Sequence, residues 1–279
     1  MSMQQIREDK CVLCGGDSFK KLLDVGGTSI VSCRKCGLTK TKNFFQPDYK
    51  RYHRDEEYQN SEWLFRNFFL KKIEQIEEFL PKPGRILEIG CSAGTLLILL
   101  KSKGWEVWGV EPSESAEAAR KKGIRVIKEY FERAKLTNGY FDAIVLNHTL
   151  EHLENPISIL KKAKTLLKKG GILLVDVPNF GSLSAKVFGR YWGYLAPGEH
   201  LWHFTPETLK KVFKKVGFRI IRQETASGIF VCGNPVGGLI DKLAHARKSF
   251  FTDLVGAPFA YISTKTGLGT NLTTIGKNG

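Results

Sequence analysis

Residues 86–97 read ILEIGCSAGTLL. An apolar run carries one acid, Glu88, breaks at Gly90 and resumes after Gly94. A strand that ends in a glycine-bounded turn and resumes as an apolar helix is the start of a β-α unit. On that reading RILEIG is the first strand, GTLLILLKSKG is the helix, and Gly90-Cys91-Ser92-Ala93-Gly94 is the turn. Glycine there lets a ligand approach the backbone, and free N–H groups at a helix start suit an anionic group. Glu88, near the carboxyl end of the strand, is expected to face that ligand and not the core. The turn is not a P-loop, because Gly94 is followed by Thr95 and Leu96 where Lys-Ser/Thr is needed. It is not a G-x-G-x-x-G fingerprint either, since only G-x-x-x-G is present.

Outward from this stretch, strand and helix patterns alternate. Strands are expected at 85–89, 106–110, 124–127, 141–146 and 171–176, with weaker ones at 218–224 and about 269–275. Helices are expected at 62–80, 94–103, 114–122, 156–168 and 205–216. The last has Thr205 as N-cap, Pro206 at the first helical position and Gly217 closing it. The alternation implies an α/β fold with a Rossmann-like, doubly wound, mostly parallel seven-stranded sheet. The second strand, WEVWGVE, ends in Glu111, placed to bond ribose hydroxyls.

The chain has 279 residues and a formal net charge of +15. Many of the bases lie in helical patterns such as ILKKAKTLLKKGG (159–171) and LKKVFKKVGF (209–218), which read as solvated lysine faces. The longest apolar run, TLLILL, is too short to span a bilayer, and the polar start MSMQQIREDK is unlike a signal peptide. A cytoplasmic location is expected.

Four of six cysteines form C-x2-C-x18-C-x2-C: Cys11, Cys14, Cys33 and Cys36, each pair followed by a glycine. This spacing points to a structural zinc with four thiolates and no open coordination position. Residues 1–45 then form a small zinc ribbon, a separate unit with little core of its own. Cys91 and Cys232 stand apart, as ordinary buried thiols. Residues 46–80 are expected to be a tyrosine-bearing linker or lid and a helix, and 81–279 the main domain.

The segments LEIGCSAG, GVEPSESAEAARKKG, FDAIVLNHTLEHLENP, LKKGGILLVDVPN and HFTPETLKKVFKKVGF occur in this order. Together they resemble the class I S-adenosylmethionine-dependent methyltransferases over roughly residues 84–224. The resemblance implies that Glu88 and the turn Gly90, Cys91, Ser92 and Gly94 hold the methionine part of the cofactor. It implies that Glu111, followed by Pro112, holds the ribose, and that Asn147 lines the cofactor or substrate side. The upstream cysteine motif is similar to that of zinc-ribbon methyltransferases linked to sugar, glycan and secondary-metabolite modification.

Methyl transfer to O–H or to carbon needs a proton acceptor, so histidines near the carboxyl edge of the sheet are candidates: His200, His203 and His148. His148, Glu151 and His152 share one helix face by spacing, which also resembles a metal position of quinol O-methyltransferases. The long aromatic segment 178–204 is expected to cover the substrate, with Arg190, Tyr191, Trp192 and Trp202, joined by Tyr58, on the acceptor. The acceptor is expected to be a small molecule or glycan, anionic in character, methylated on oxygen or carbon. An RNA substrate held by the ribbon and the basic surface is the alternative, and a non-enzymatic adaptor a further one. Residues 225–279 carry little resemblance.

Overall fold

The computed structural model describes residues 10–44, 62–244 and 249–279. Of the expected linker 46–62, residues 46–61, with Tyr58, lie outside them. Among the described residues the elements run β1 (Phe19–Val25), β2 (Thr28–Cys33), β3 (Thr39–Lys42), α1 (Glu62–Glu77), β4 (Arg85–Ile89), α2 (Thr95–Ser102), β5 (Glu106–Val110) and α3 (Ser115–Lys121). They continue through β6 (Arg125–Ile127), β7 (Phe141–Asn147), α4 (Pro156–Leu166), β8 (Leu167–Pro178), α5 (Leu183–Phe188), β9 (Trp202–His203) and α6 (Pro206–Val216). The last are β10 (Arg219–Ala226), α7 (Pro235–Ala244), α8 (Ser249–Lys265) and β11 (Asn271–Lys277).

The main sheet has seven strands in the order β10-β11-β8-β7-β4-β5-β6. All neighbours from β8 to β6 are parallel, and β11 runs antiparallel to both β8 and β10. The expected mostly parallel sheet is therefore present. Alternation along the central strands divides the core. Ile86, Ala143, Val145, Ile172 and Leu174 face a cluster with Phe69 and Ile73 of α1 and Leu96 and Leu97 of α2. Leu87, Ile144, Leu146, Leu173 and Val175 face the other cluster, with Leu160 of α4 and Leu209 and Phe213 of α6. The period-two pattern of strands buried on both faces gives exactly two layers of helices.

Helix α6 starts as its sequence implies. Thr205 accepts from Thr208 N in a capping box, Pro206 follows, and Gly217 closes with φ 87°. Boundary differences are small except at β8, which begins at Leu167 directly after α4, where the lysine-rich run read as helix to 168.

The ribbon does not stand apart. Its sheet has the order β1-β2-β3-β9, and β9 comes from the expected substrate cover. Thr41 N donates to Leu201 O at 2.9 Å. Thr41 Oγ1 donates to His200 O at 2.7 Å and lies 3.0 Å from His203 Nε2. Leu13, Leu38 and Phe44 share one cluster with Leu201, Trp202 and Phe204. A ribbon too small for its own core completes it on the main domain.

One buried ion pair joins α1 to the sheet. Lys72 Nζ is 2.8 Å from Asp176 Oδ1, and it donates to Thr273 Oγ1 at 2.9 Å. Thr273 in turn donates to Asp176 Oδ1. Both charged residues are sealed off, Lys72 at 2% and Asp176 at 0% exposure. Removing one partner strands the other charge, so Lys72→Met is expected to destabilise the fold by about 3–5 kcal/mol, measured by urea denaturation. The double variant Lys72→Met, Asp176→Leu should recover much of that loss. A single variant within about 1 kcal/mol of wild type would show that the pair does not hold α1 in place.

Candidate active site

Strand order reverses between β4 and β7, and a doubly wound sheet opens its crevice at the carboxyl ends of such strands. A pocket lies there, lined by Phe69, Glu88, Gly90, Cys91, Ser92, Thr95 and Asn147. Glycine is required at both ends of the turn from Gly90 to Gly94. Gly90 has φ 73°, and a Cβ on it would lie 2.6 Å from Thr149 Oγ1. Gly94, with φ 76°, ends the turn as the left-handed cap of α2, and a Cβ there would press on Ala119 at 3.1 Å. Ser92 adopts a left-handed conformation without being glycine, φ 45°.

Glu111 locks this turn. One carboxylate oxygen accepts from Ser92 N and the other from Ser113 N, both at 2.9 Å. Pro112, between Glu111 and Ser113 in the chain, is half-buried. A carboxylate has about four acceptor positions, so Glu111 retains capacity for hydroxyl donors. Glu88 is buried, and its Oε2 lacks a hydrogen-bond partner, as does Asn147 Oδ1. Burial, with the Glu111 charge nearby, raises the Glu88 carboxyl well above the usual carboxylate range. Burial likewise keeps the Cys91 thiol neutral, well above its ordinary pKa. The pocket thus presents two unsatisfied acceptors, which fit the ammonium of an amino-acid moiety, beside a carboxylate suited to ribose hydroxyls.

Next to Asn147 stands His148, with φ 47° at the end of β7. Non-glycine residues in that region are uncommon and cluster at functional sites. Its Nε2 is 3.5 Å from Asp176 Oδ2 and 3.2 Å from Asn271 Nδ2. Its Nδ1 is 3.5 Å from Glu151 Oε1. Burial opposes the imidazolium, but Asp176 and Glu151 outweigh it and raise His148 to about 9. Burial also opposes the charge of Asp176, yet Lys72 and His148 hold its carboxyl well below the usual range. Tyr194 stacks on His148 with ring centroids 6.3 Å apart, and Phe68 flanks it at 6.1 Å.

The other two histidines differ. His203 points to the ribbon, its Nε2 against Thr41 Oγ1, and burial pushes it down to about 3. His200 has Nδ1 2.9 Å from Tyr194 O, and burial pushes it down to about 4. His152 Nδ1 lies 2.9 Å from Glu199 O. Ligand atoms of Glu151, His152 and His200 lie within 4.8 Å of one another, so this trio could hold a metal ion. The sequence spacing grouped His148 with Glu151 and His152; in the fold His200, from the distant cover segment, completes the trio instead. Both Glu151 oxygens are buried without a hydrogen bond. Burial disfavours its charge, but His148, His152 and His200 outweigh that and hold the carboxyl below its usual range.

Of the expected acceptor residues, Trp192 and Trp202 are buried, with indole N–H groups donating to Ser184 Oγ at 3.2 Å and Leu153 O at 2.8 Å. Arg190 and Tyr191 are exposed. The segment 178–204 thus divides into buried anchors, Tyr194 at the site, and an exposed rim. Lys72, Asp176, Thr149 and Asn271 escaped the sequence reading. Asp176 carried a signal, a lone acid inside GGILLVDVPN, of the same kind as Glu88 in its own strand.

The ribbon cysteines form the second centre. Cys11 and Cys36 sulfurs are 3.5 Å apart, as are those of Cys14 and Cys33, and all four lie within 4.8 Å of one another. Two tight turns hold them: Gly15 N donates to Cys11 O at 2.7 Å and Gly37 N to Cys33 O at 2.9 Å. Four free thiols so gathered fit a tetrahedral structural zinc.

Residues 52–223 match a family model described as a methyltransferase domain. An uncharacterized protein of Methanocaldococcus jannaschii is 34% identical over 136 residues, covering 48% of this chain and 63% of that protein. A ubiquinone biosynthesis O-methyltransferase of Cereibacter sphaeroides is 29% identical over 159 residues, covering 50% of this chain and 62% of that enzyme. The chain therefore spans a little over three-fifths of these relatives, 63% and 62%. Among solved structures, a Thermotoga maritima S-adenosylmethionine-dependent methyltransferase, described as a possible histamine N-methyltransferase, matches with a TM-score of 0.55. It is 24% identical, and the match covers 81% of this chain and 96% of that one, a likeness of fold. With the family model spanning more than half of it, the chain belongs to the methyltransferase domain family.

Proposed function

We propose that the chain methylates an oxygen or carbon of a small-molecule or glycan acceptor, and that His148 takes the acceptor's proton. The carrying observation is the adjacency of Asn147, in the cofactor pocket, to His148, which is braced by Asp176 in a left-handed conformation. When bound, S-adenosylmethionine supplies an activated sulfonium methyl. The chain's task is then alignment, exclusion of water and proton removal. Glu88 and Asn147 offer acceptors to the amino-acid part, Glu111 to the ribose, and the turn from Gly90 through Cys91 and Ser92 to Gly94 the close backbone.

A base held near pKa 9 is matched to a weakly acidic O–H, or to a C–H beside a carbonyl. Asp176 stabilises the imidazolium formed, and Lys72 keeps Asp176 ionised beneath it. Tyr194 supplies a flat wall over His148, suited to a ring-shaped acceptor. The similarity to an O-methyltransferase of ubiquinone biosynthesis supports an acceptor of that small-molecule kind. Arg190 and Tyr191 stand on the rim, where they can meet an anionic or sugar-bearing part. His203, tied to Thr41, serves to position the cover. A second reading, favoured by the unsatisfied Glu151 oxygens, places a divalent ion on Glu151, His152 and His200 to polarise the acceptor oxygen.

Calorimetry on Glu111→Ala should show S-adenosylmethionine binding weakened by roughly 1–3 kcal/mol, with thermal melting alongside to separate loss of the turn. Unchanged affinity would remove Glu111 from the cofactor site. His148→Gln should lower turnover on an acceptor found by metabolite screening at least about a hundredfold, while cofactor affinity stays within about threefold. Wild-type turnover should rise with pH through a midpoint near 9 and level off above it, because the base works only after losing its proton. Full turnover in His148→Gln rejects the assignment. A second equivalent of bound metal that Glu151→Gln removes, together with turnover, would put the metal reading in its place. An acceptor found only as RNA, with steep salt dependence, would overturn the small-molecule reading.

A further inference from the structure

Helices α7 and α8, inserted between β10 and β11, are amphipathic in the reverse sense to the rest of the molecule. In α7, Val236, Ile240 and Leu243 follow helical spacing and are 66%, 61% and 60% exposed. In α8, Leu254, Val255, Phe259 and Ile262 lie on one stripe, with Val255 80% exposed. The inward side of α8 is small or polar instead. Ala260 and Ser263 are buried, Ala260 fits against Gly228, and Thr264 Oγ1 accepts from Ser227 N at 3.0 Å. The large apolar side chains therefore point outward, away from the protein's own core. An exposed apolar face of this extent marks an interaction surface.

The surroundings select the occupant. Leu183 N donates to Leu268 O at 2.9 Å, which sets α5 beside the end of α8. Helix α5 and its following turn add Val187, Phe188 and Tyr191, the last 85% exposed. Lys186 of α5, Arg190 of the turn after it and Lys265 of α8 are exposed bases, and residues 183–195 contain no acid, although α7 and α8 carry Asp241 and Asp253 and Arg190 acts on Asp24. The chain as a whole carries +15. An apolar stripe with exposed tyrosines and a basic border suits the headgroup boundary of an anionic bilayer. A second copy of so basic a chain would instead meet like charge at this border. No helix among the described residues is long and apolar enough to cross a membrane, so the contact is one of lying on the surface.

We propose that the α7–α8 face docks this protein on an anionic membrane surface. Tyr191 stands three residues before Tyr194, which stacks on His148. The docking does not depend on which acceptor or base the site uses.

Sedimentation of the full chain with vesicles tests this. The probes are phosphatidylcholine vesicles with and without about a third of phosphatidylglycerol, at low and high salt. Wild type should pellet with the anionic vesicles, and the double variant Ile240→Glu, Val255→Glu should partition at least about tenfold less. Both positions are exposed, so the variant's melting temperature and cofactor affinity should match wild type, which separates lost docking from misfolding. Three results would overturn the proposal. The wild type could ignore the vesicles at every salt. The double variant could bind them as well as wild type, leaving only diffuse charge attraction. Light scattering could show a dimer that the double variant dissolves, with no vesicle binding, assigning the face to a second copy.

Discussion

The contact between Lys72 and Asp176 is the constraint on which the candidate site rests. An ammonium and a carboxylate this deeply buried are stable only together, with Thr273 bonding both. Their union fixes the position of α1, and with it Phe68 and Phe69, one beside His148 and the other in the pocket wall. It also keeps Asp176 charged where a lone carboxyl would take up a proton, and that charge raises His148. A helix position, a pocket wall and the proton affinity of a candidate base thus derive from one pair.

The cysteine ribbon bears on the same region from the other side. Its hydrophobic residues join the core under α4 and α6, and β3 captures β9 as a fourth strand. The segment that carries Tyr194 and His200 is consequently anchored at one end by the ribbon and at the other by Asn179, whose N–H donates to Thr270 O at 2.7 Å. A metal held by the four cysteines would have no open coordination position and would act on the site through geometry, by setting where the cover lies.

Much of the fold was legible because parallel strands buried on both faces and lysine-faced helices leave clear periodic patterns. The turn from Gly90 to Gly94 was legible because backbone conformation dictates residue type there. What escaped shares one property: it is made of residues far apart in the chain. Lys72, Asp176 and Thr273 look unremarkable singly, and only the sheet order puts them together. The pairing of β3 with β9 rests on four residues separated by most of the chain, with no local signal. His203 drew notice as a base by its place in a histidine-rich loop, but its partner, Thr41, belongs to the ribbon. Helices α7 and α8 were missed for a different reason: their large apolar residues face outward and the buried side of α8 is small or polar, so they do not read as ordinary packed helices.

The place of β11 has a consequence for how the molecule is made. This strand is inserted between β10 and β8, which are synthesised before it. Until residues 271–277 leave the ribosome, the edge of β8 has no partner on that side, and Lys72 and Asp176 lack the Thr273 hydroxyl that bonds both. The sheet must stay open to receive a late strand from the far end of the chain, a contact of long sequence separation that slows closure. An exposed edge during that interval is where a nascent chain is prone to pair wrongly with a neighbour.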